Sequence, residues 1–368
     1  MPQWYPNKTD VQLGGFIQQQ AALISSDFKV TVLYPHPIKN QDQEFDLEVT
    51  EYEGVKEIRV YYNQNEGILR RIKNYKRYKK ALEIGLKEVQ GNIDLCHLHV
   101  PMRSGLILES LNKNIPVVVT CHWSGHLNGG FNELPSTERK LYLNALERAK
   151  KITAVSEKLS VAVFKNTTHK SVVIPNIIVG NPTPYPSDKE GIRILTVGDL
   201  NNETKNYTRL LEFFSIALNE IDNLKLDIIG DGPDKALILD KILELGIGEK
   251  VNFLGRKTQQ EVQDKYGDYH FFMNSSNSET FGMAIAEAIA NGRPVVCTAS
   301  GGPNDFVNDS NGKLVEVGDI TSYVLALLEM CEKYTSYDPK ELSKTILDKY
   351  GEEKLRDEWK SLYKSILQ

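Results

Sequence analysis

Short apolar runs alternate with longer stretches of helical periodicity along nearly the whole of this 368-residue chain. That alternation restricts the fold more than any single motif does. The runs predict strands at 29–34, 58–62, 94–99, 116–121, 151–155, 171–174, 193–197, 225–229, 251–254, 271–274 and 294–298. Brief apolar runs separated by helical patterns are typical of parallel sheets, in which each crossover is a helix. The expected class is therefore α/β. A chain of this length exceeds the usual single core, so two domains are expected. The Pro-rich segment from Asn181 to Asp188 separates two such β/α halves and marks the linker. Residues 1–180 then form one domain and residues 181–351 the other. The final segment, 352–368, carries Leu355, Trp359, Leu362, Tyr363 and Ile366 at helical spacing.

Composition removes several classes of function. A hydrophobic content of 40% with 25% charged residues is that of a water-soluble globular protein. No apolar run approaches the roughly eighteen residues needed to cross a bilayer. Met1–Pro6 shows no basic stretch followed by an apolar core, so no signal peptide is expected. The cysteines Cys96, Cys121, Cys297 and Cys331 are scattered and form no Cys-x-x-Cys pair. A reducing cytoplasm is the expected setting.

The net charge is −5, yet the segment 70–80 holds seven bases and no acid: Arg70, Arg71, Lys73, Lys76, Arg77, Lys79 and Lys80. Ile68, Leu69, Ile72, Tyr75, Leu82 and Leu86 interleave with them at helical spacing. A basic helix with apolar and aromatic residues can lie on an anionic membrane surface, and it can equally be a solvated face covering its own domain. No nucleic-acid-binding motif accompanies it, so nucleic acid is not an expected partner.

The segment from Asn274 to Val296 carries the chemistry. It reads as a polar loop, a helix start near Phe281–Met283, an Ala-rich helix, a stop at Gly292 and a buried strand. Unpaired N–H groups at Phe281, Gly282 and Met283 would form an electropositive cradle for phosphate. Gly282 lets an anion approach the backbone closely. Carboxylates repel phosphate, so Glu279 and Glu287 are better suited to accepting hydrogen bonds from sugar hydroxyls. Phosphate flanked by hydroxyl acceptors describes a nucleotide sugar. Taken alone, two Glu residues at this spacing and a Gly at a helix start are also an ordinary junction.

This segment, followed by Gly301-Gly302 and by Asn311-Gly312, resembles the C-terminal half of glycosyltransferase family 4, the retaining, nucleotide-sugar-dependent enzymes of the GT-B fold. Val197-Gly198 followed by Lys205-Asn206 is similar to the family's strand-loop with a phosphate-binding lysine. The turns at Gly230–Pro233 and Gly255-Arg256 have counterparts too. In the N-terminal half the resemblance rests on Gly14-Gly15, His97 and His99, His122, Thr153–Glu157 and Ile174–Asn176.

The resemblance implies two facing Rossmann-like domains, with the terminal helix crossing back to the N-terminal one. It implies a nucleoside-diphosphate sugar as donor, UDP- or GDP-linked, and a glycan or lipid-linked acceptor, as in bacterial surface-polysaccharide synthesis. No metal or other cofactor is expected. Lys205 and the Phe281–Met283 helix start would hold the pyrophosphate beside Gly198. Glu287 would take the ribose hydroxyls, Glu279 the transferred sugar, and His122 would stand beside the reacting carbon. Gly14 and Gly15 would admit the donor or the acceptor.

Two departures stand out. Where the family commonly carries a second base just after Gly198, this chain has Asp199, for which Arg256 or Lys257 can substitute. The family's first strand has almost no room before Gly14, and a misplaced start of the reading frame is the expectation. Two rival readings follow. One is an enzyme of the same fold with a small soluble acceptor, and the other is a catalytically silent nucleotide-sugar-binding scaffold.

Overall fold

The computed structural model describes residues 1–67, 70–187, 189 and 191–368. Ile68 and Leu69, counted above with the basic helix, and Asp188 of the linker lie outside the described residues. The chain forms two compact units. The first comprises 1–155, 159–177 and 355–368, and the second 156–158 and 178–354.

In the first unit, β4 (Cys96–His99), β5 (Val117–Cys121), β6 (Lys151–Ala154) and β7 (Val172–Val173) form a parallel sheet in that order. A second sheet has the order β1 (Thr31–Ile38), β3 (Val55–Asn63), β2 (Phe45–Tyr52). β1 pairs with β3 in parallel, whereas β2 is antiparallel to β3. The apolar-run pattern did not predict β2. Asp46, Glu48 and Glu51 interrupt its apolar positions, because only one face of an edge strand needs to be apolar. The hairpin turns at Glu53-Gly54, where both residues have positive φ (46° and 78°). This is the primed-turn geometry that suits a twisted hairpin.

Residues 1–3 run beside β4, with the Met1 amino group donating to the His97 carbonyl at 2.9 Å and the Gln3 N–H to the His99 carbonyl at 3.0 Å. The two sheets stay separate. A cavity of about 310 Å³ is lined by Ile17, Ala21, Val32, Leu95, His97 and Tyr363, among others.

Helices α1 (Gly15–Ser25), α2 (Arg70–Lys87), α3 (Gly130–Glu133), α4 (Ser136–Arg148) and α5 (Glu157–Thr167) follow in chain order. α2 packs on β1 and β3.

The second unit holds one parallel six-stranded sheet. Its strands are β8 (Ile192–Val197), β9 (Leu224–Ile229), β10 (Val251–Gly255), β11 (Phe271–Asn274), β12 (Val295–Thr298) and β13 (Gly312–Val315). Its helices are α6 (Asn202–Lys205), α7 (Tyr207–Leu218), α8 (Lys235–Leu245), α9 (Gln259–Lys265), α10 (Met283–Ala290), α11 (Ile320–Lys333) and α12 (Pro339–Tyr350). α7 packs against α8 and α11, and α10 packs against α12. Ile194, Leu226, Phe271, Met273 and Val296 are fully buried in the core beside Phe213, whose ring stacks on Tyr323 at 4.2 Å. The sheet order is β10-β9-β8-β11-β12-β13, so the winding reverses between β8 and β11. The carboxyl ends of these two strands are where a sheet of this winding places its ligands.

The chain ends in α13 (Glu352–Leu367), which belongs to the first unit from Leu355 onward. Leu355, Trp359, Tyr363 and Ile366 are buried there against Leu23, Ile24 and Val118.

Candidate functional site

The reversal between β8 and β11 brings together two residues 74 positions apart: Lys205 Nζ donates to Glu279 Oε1 at 2.6 Å. Lys205 closes the short helix α6, which Asn201 caps by accepting the Thr204 N–H at 3.0 Å. Asn206 then takes a left-handed conformation (φ 53°) to start α7. The loop after β11 ties itself to this turn. Asn277 N–H donates to the Thr204 carbonyl at 2.8 Å, Asn277 Nδ2 to the Glu203 carbonyl at 2.9 Å, and Ser275 Oγ to the Asn206 carbonyl at 2.9 Å. The lysine and the glutamate therefore stand on a common, hydrogen-bonded base.

Glu279 is 9% exposed. Ser276 Oγ also donates to its Oε1, at 2.7 Å. Both bonds fall on one oxygen, and Oε2 receives none from the described residues. That oxygen is open to a ligand hydroxyl. The backbone of Glu279 is fixed by a bridge to Gly301, with Glu279 N–H to the Ser300 carbonyl at 3.0 Å and Gly302 N–H to the Glu279 carbonyl at 2.9 Å. A Cβ on Gly301, whose φ is +137°, would lie 2.4 Å from the Glu279 carbonyl oxygen. Gly301→Ala should thus cost about 2–4 kcal/mol and displace Glu279. A thermal melt and an activity assay on the same preparation check both effects.

Helix α10 starts as the sequence predicts. Gly282 caps it in the left-handed region (φ 93°), and no described group accepts from the N–H groups of Phe281, Gly282 and Met283. One and a half turns on, Glu287 is 8% exposed, with Tyr266 Oη 3.5 Å from its Oε2. Burial pushes its carboxyl up to about 7, against the smaller opposing effect of hydrogen bonds from Tyr266 and Gln259. A carboxyl so placed is poised to gain from hydroxyl donors.

Around the other strand ends, Gly198 N–H donates to the Ile229 carbonyl and Gly230 N–H to the Gly255 carbonyl, each at 3.0 Å. A Cβ on Gly230 would lie 1.9 Å from the Gly198 carbonyl oxygen. Asp199 and Arg256, the residues after the first and third of these glycines, meet at 3.3 Å in a surface pair. An arginine from the end of β10 thus stands next to the position where the sequence lacks its expected base.

In the first unit, His122 follows β5. Its Nε2 lies 3.1 Å from His99 Nδ1, the two rings stack at 5.3 Å, and Phe16 packs on it at 4.8 Å. His97 stacks in turn on His99 at 4.1 Å and is held by Tyr363 Oη at 2.7 Å and Thr120 Oγ1 at 2.6 Å. Burial lowers His122 to about 3, so its ring is neutral, and its buried Nδ1 has no partner among the described residues. Gly14 caps α1 in the left-handed region (φ 67°), and a Cβ there would strike the Trp4 carbonyl oxygen at 2.5 Å. Gly15 faces open space. Among the described residues, no group of three or more His, Cys, Asp or Glu side chains is placed to hold a metal ion.

The basic residues lie on α2. Arg77 Nε pairs with Glu44 at 3.4 Å, Lys79 with Glu109 at 2.6 Å and Lys80 with Glu83 at 3.1 Å. Arg70, Arg71, Lys73 and Lys76 form no ion pair among the described residues.

Sequence reasoning missed Ser276, Asn201 and Tyr266, which position the lysine and the two glutamates. The polar run 274–278 directly after a buried strand was the available signal for Ser276. Nothing local marked Tyr266.

Residues 181–358 match the family model for glycosyl transferases group 1, and residues 18–179 match that for glycosyltransferase family 4. The N-acetyl-alpha-D-glucosaminyl L-malate synthase of Bacillus anthracis is 25% identical over 320 residues, covering 80% of this chain and 81% of the relative. The alpha-monoglucosyldiacylglycerol synthase of Streptococcus pneumoniae is 26% identical over 258 residues, covering 64% of this chain. The match spans only 58% of that relative's length. Among solved structures, Anabaena HepE in complex with UDP and glucose aligns with a TM-score of 0.65 at 16% identity, covering 83% of this chain and 86% of that one.

Proposed function

The chain belongs to glycosyltransferase family 4 and has the GT-B fold, and from that premise we propose that it transfers a sugar, with retention and without a metal, from a nucleoside diphosphate to a glycan or lipid-linked acceptor. The observation that carries this reading is the Lys205–Glu279 pair spanning the β8/β11 reversal beside the free N–H groups of α10.

Cleavage at the anomeric carbon puts negative charge on the departing pyrophosphate. Fixed cations and oriented N–H groups stabilise that charge most where water is excluded. Lys205, the N–H groups of Phe281, Gly282 and Met283, and Arg256 supply them, and Gly198 leaves room beside them. Glu287 accepts the ribose hydroxyls, and Glu279 Oε2 a hydroxyl of the transferred sugar. His122, neutral through burial, gives a hydrogen bond on the acceptor side rather than acting as a base. The leaving phosphate itself takes the acceptor's proton on the same face of the sugar. Gly14 is needed by its own turn, whereas Gly15 is open to a ligand. The second unit is the donor domain and the first the acceptor domain. UDP and GDP sugars are the leading donors.

The setting is bacterial surface-glycan synthesis at the inner face of the cytoplasmic membrane, with the basic helix α2 toward the lipid. The four bases in the first two turns of α2, which form no ion pair among the described residues, favour this. No helix among the described residues is long and apolar enough to cross a membrane. The similarity to a diacylglycerol-modifying enzyme points the same way, while the similarity to an L-malate-modifying one favours the small-acceptor reading.

Transfer of labelled sugar from UDP- and GDP-sugars to lipid-extract, polysaccharide and malate acceptors separates these readings. Product in the lipid or polysaccharide fraction, with the donor's anomeric configuration kept, is expected. An inverted product overturns the mechanism, malate as sole acceptor overturns the setting, and no product with any acceptor favours the scaffold.

A further inference from the structure

We propose that the apolar row of β2 forms, together with α2, a two-element face that inserts into an anionic lipid surface. This rests on the membrane reading of α2 given above and extends it to a strand that no basic or amphipathic helix pattern marks.

The antiparallel register sets Phe45 opposite Tyr62, Leu47 opposite Val60 and Val49 opposite Ile58, so these six side chains share one face of the sheet. That face is the one α2 covers. Tyr78 of α2 meets Tyr62 edge-on at 6.2 Å, and a Cβ on Gly85 would lie 3.1 Å from Val60 Cγ2. α2 packs over β1 and β3, where Ile58, Val60 and Tyr62 are fully buried. Beyond its shadow, Leu47 is 41% and Val49 45% exposed. An edge strand with an exposed apolar row is a liability unless something covers it.

Charge selects the occupant. α2 carries eight bases and one acid along Arg70–Lys87. Its first two turns bury no side chain, and they carry Arg70, Arg71, Lys73 and Lys76 around Ile72, which is 58% exposed. The acids of β2 mostly face the other way: Asp46 and Glu48 lie on the opposite face of the sheet, 2.8 and 3.4 Å from Lys8. Glu51, at the hairpin end of the apolar row, stands opposite Lys56 in register. The apolar row of β2 therefore has Asp46 and Glu48 turned away from it, and Glu44, Glu83 and Glu109, acids at α2, are each paired with one of its bases. Bases draw the surface to anionic headgroups while exposed side chains enter the acyl boundary.

The test is sedimentation of the full chain with vesicles of equal parts phosphatidylcholine and phosphatidylglycerol, and with pure phosphatidylcholine. Binding to the anionic vesicles is expected for the wild type. Leu47→Ser/Val49→Ser should weaken it about tenfold, and that loss should persist at high salt, where screening removes the contribution of the bases. Lys73→Glu/Lys76→Glu should weaken it more at low salt and little at high salt. An unchanged melting temperature in the serine variant shows that the sheet is intact, and Leu47→Thr/Val49→Thr, which keeps β propensity, serves if it is not. Wild-type protein that ignores anionic vesicles overturns the membrane reading itself. Anionic binding that the serine variant keeps in full overturns only the role of β2. A dimer in light scattering that the serine variant abolishes, without vesicle binding, assigns the row to a second copy of the chain instead.

Discussion

Lys205→Ala is expected to lower kcat by about a hundredfold to a thousandfold, the usual effect of removing one fixed charge from a developing anion. KM for the donor should rise less than kcat falls, because the ammonium gains most from the charge that appears on the leaving pyrophosphate. The ground state argues for this assignment. Lys205 Nζ already lies 2.6 Å from Glu279 Oε1, so the loops hold the cation in place before any ligand arrives. Removing it leaves a largely buried Glu279 carboxylate with only Ser276 as a donor, which also lowers stability. Lys205→Ala/Glu279→Gln separates the two effects. The double variant should recover the melting temperature but not the rate. Recovery of the rate would show that Lys205 serves only to neutralise Glu279.

The second large effect is on pH dependence, through Glu287. Burial holds its carboxyl at about 7 in the folded protein, against an ordinary value of 4.5. A raised folded value favours the folded state while the group is protonated. That contribution is complete below the unfolded value and is lost as the pH rises through about 7. A shift of this size corresponds to about 3 kcal/mol. The wild type should therefore lose roughly that much stability between pH 5 and pH 9 from this one group, and Glu287→Gln should not. Donor binding runs in the opposite sense. Ribose hydroxyls donate to the carboxylate, so nucleotide should bind about tenfold or more tightly as the pH rises through about 7. The gain should vanish in Glu287→Gln. Calorimetric titration in two buffers of different ionisation enthalpy also detects the proton released on binding. A flat profile in the wild type removes Glu287 from the ribose site.

How much of this was legible in the sequence depended on whether the signal was local. The strands of the second unit are short runs buried on both faces, so the runs ending at Val197, Ile229, Asn274 and Thr298 could be placed to within a residue or two. The start of α10 was legible because Gly282 and the apolar helix after it are adjacent. β2 was not, since Leu47 and Val49 are spaced among acids that serve the other face of the sheet. β13 was missed because it opens on Gly312 and Lys313, which leaves only Leu314 and Val315 as an apolar run. The Lys205–Glu279 contact has no local sign at all. It follows from the sheet order, which periodicity does not encode, and only resemblance to a family put both residues on one site. The state of Glu287 was equally hidden, because its carboxyl is raised by burial, which spacing does not encode.

Nucleotide binding is the most direct test of a donor site at the β8/β11 reversal. Thermal stabilisation by UDP, GDP, ADP, CMP and their sugars should be measured on the wild type and on Glu287→Ala. A ligand at one hundred times its dissociation constant adds about 2.7 kcal/mol, a readily visible shift in Tm. Selective stabilisation of the wild type by one nucleoside diphosphate and its sugar, lost in Glu287→Ala, is the predicted result. No stabilisation by any of them, or stabilisation that Glu287→Ala retains in full, would contradict the site.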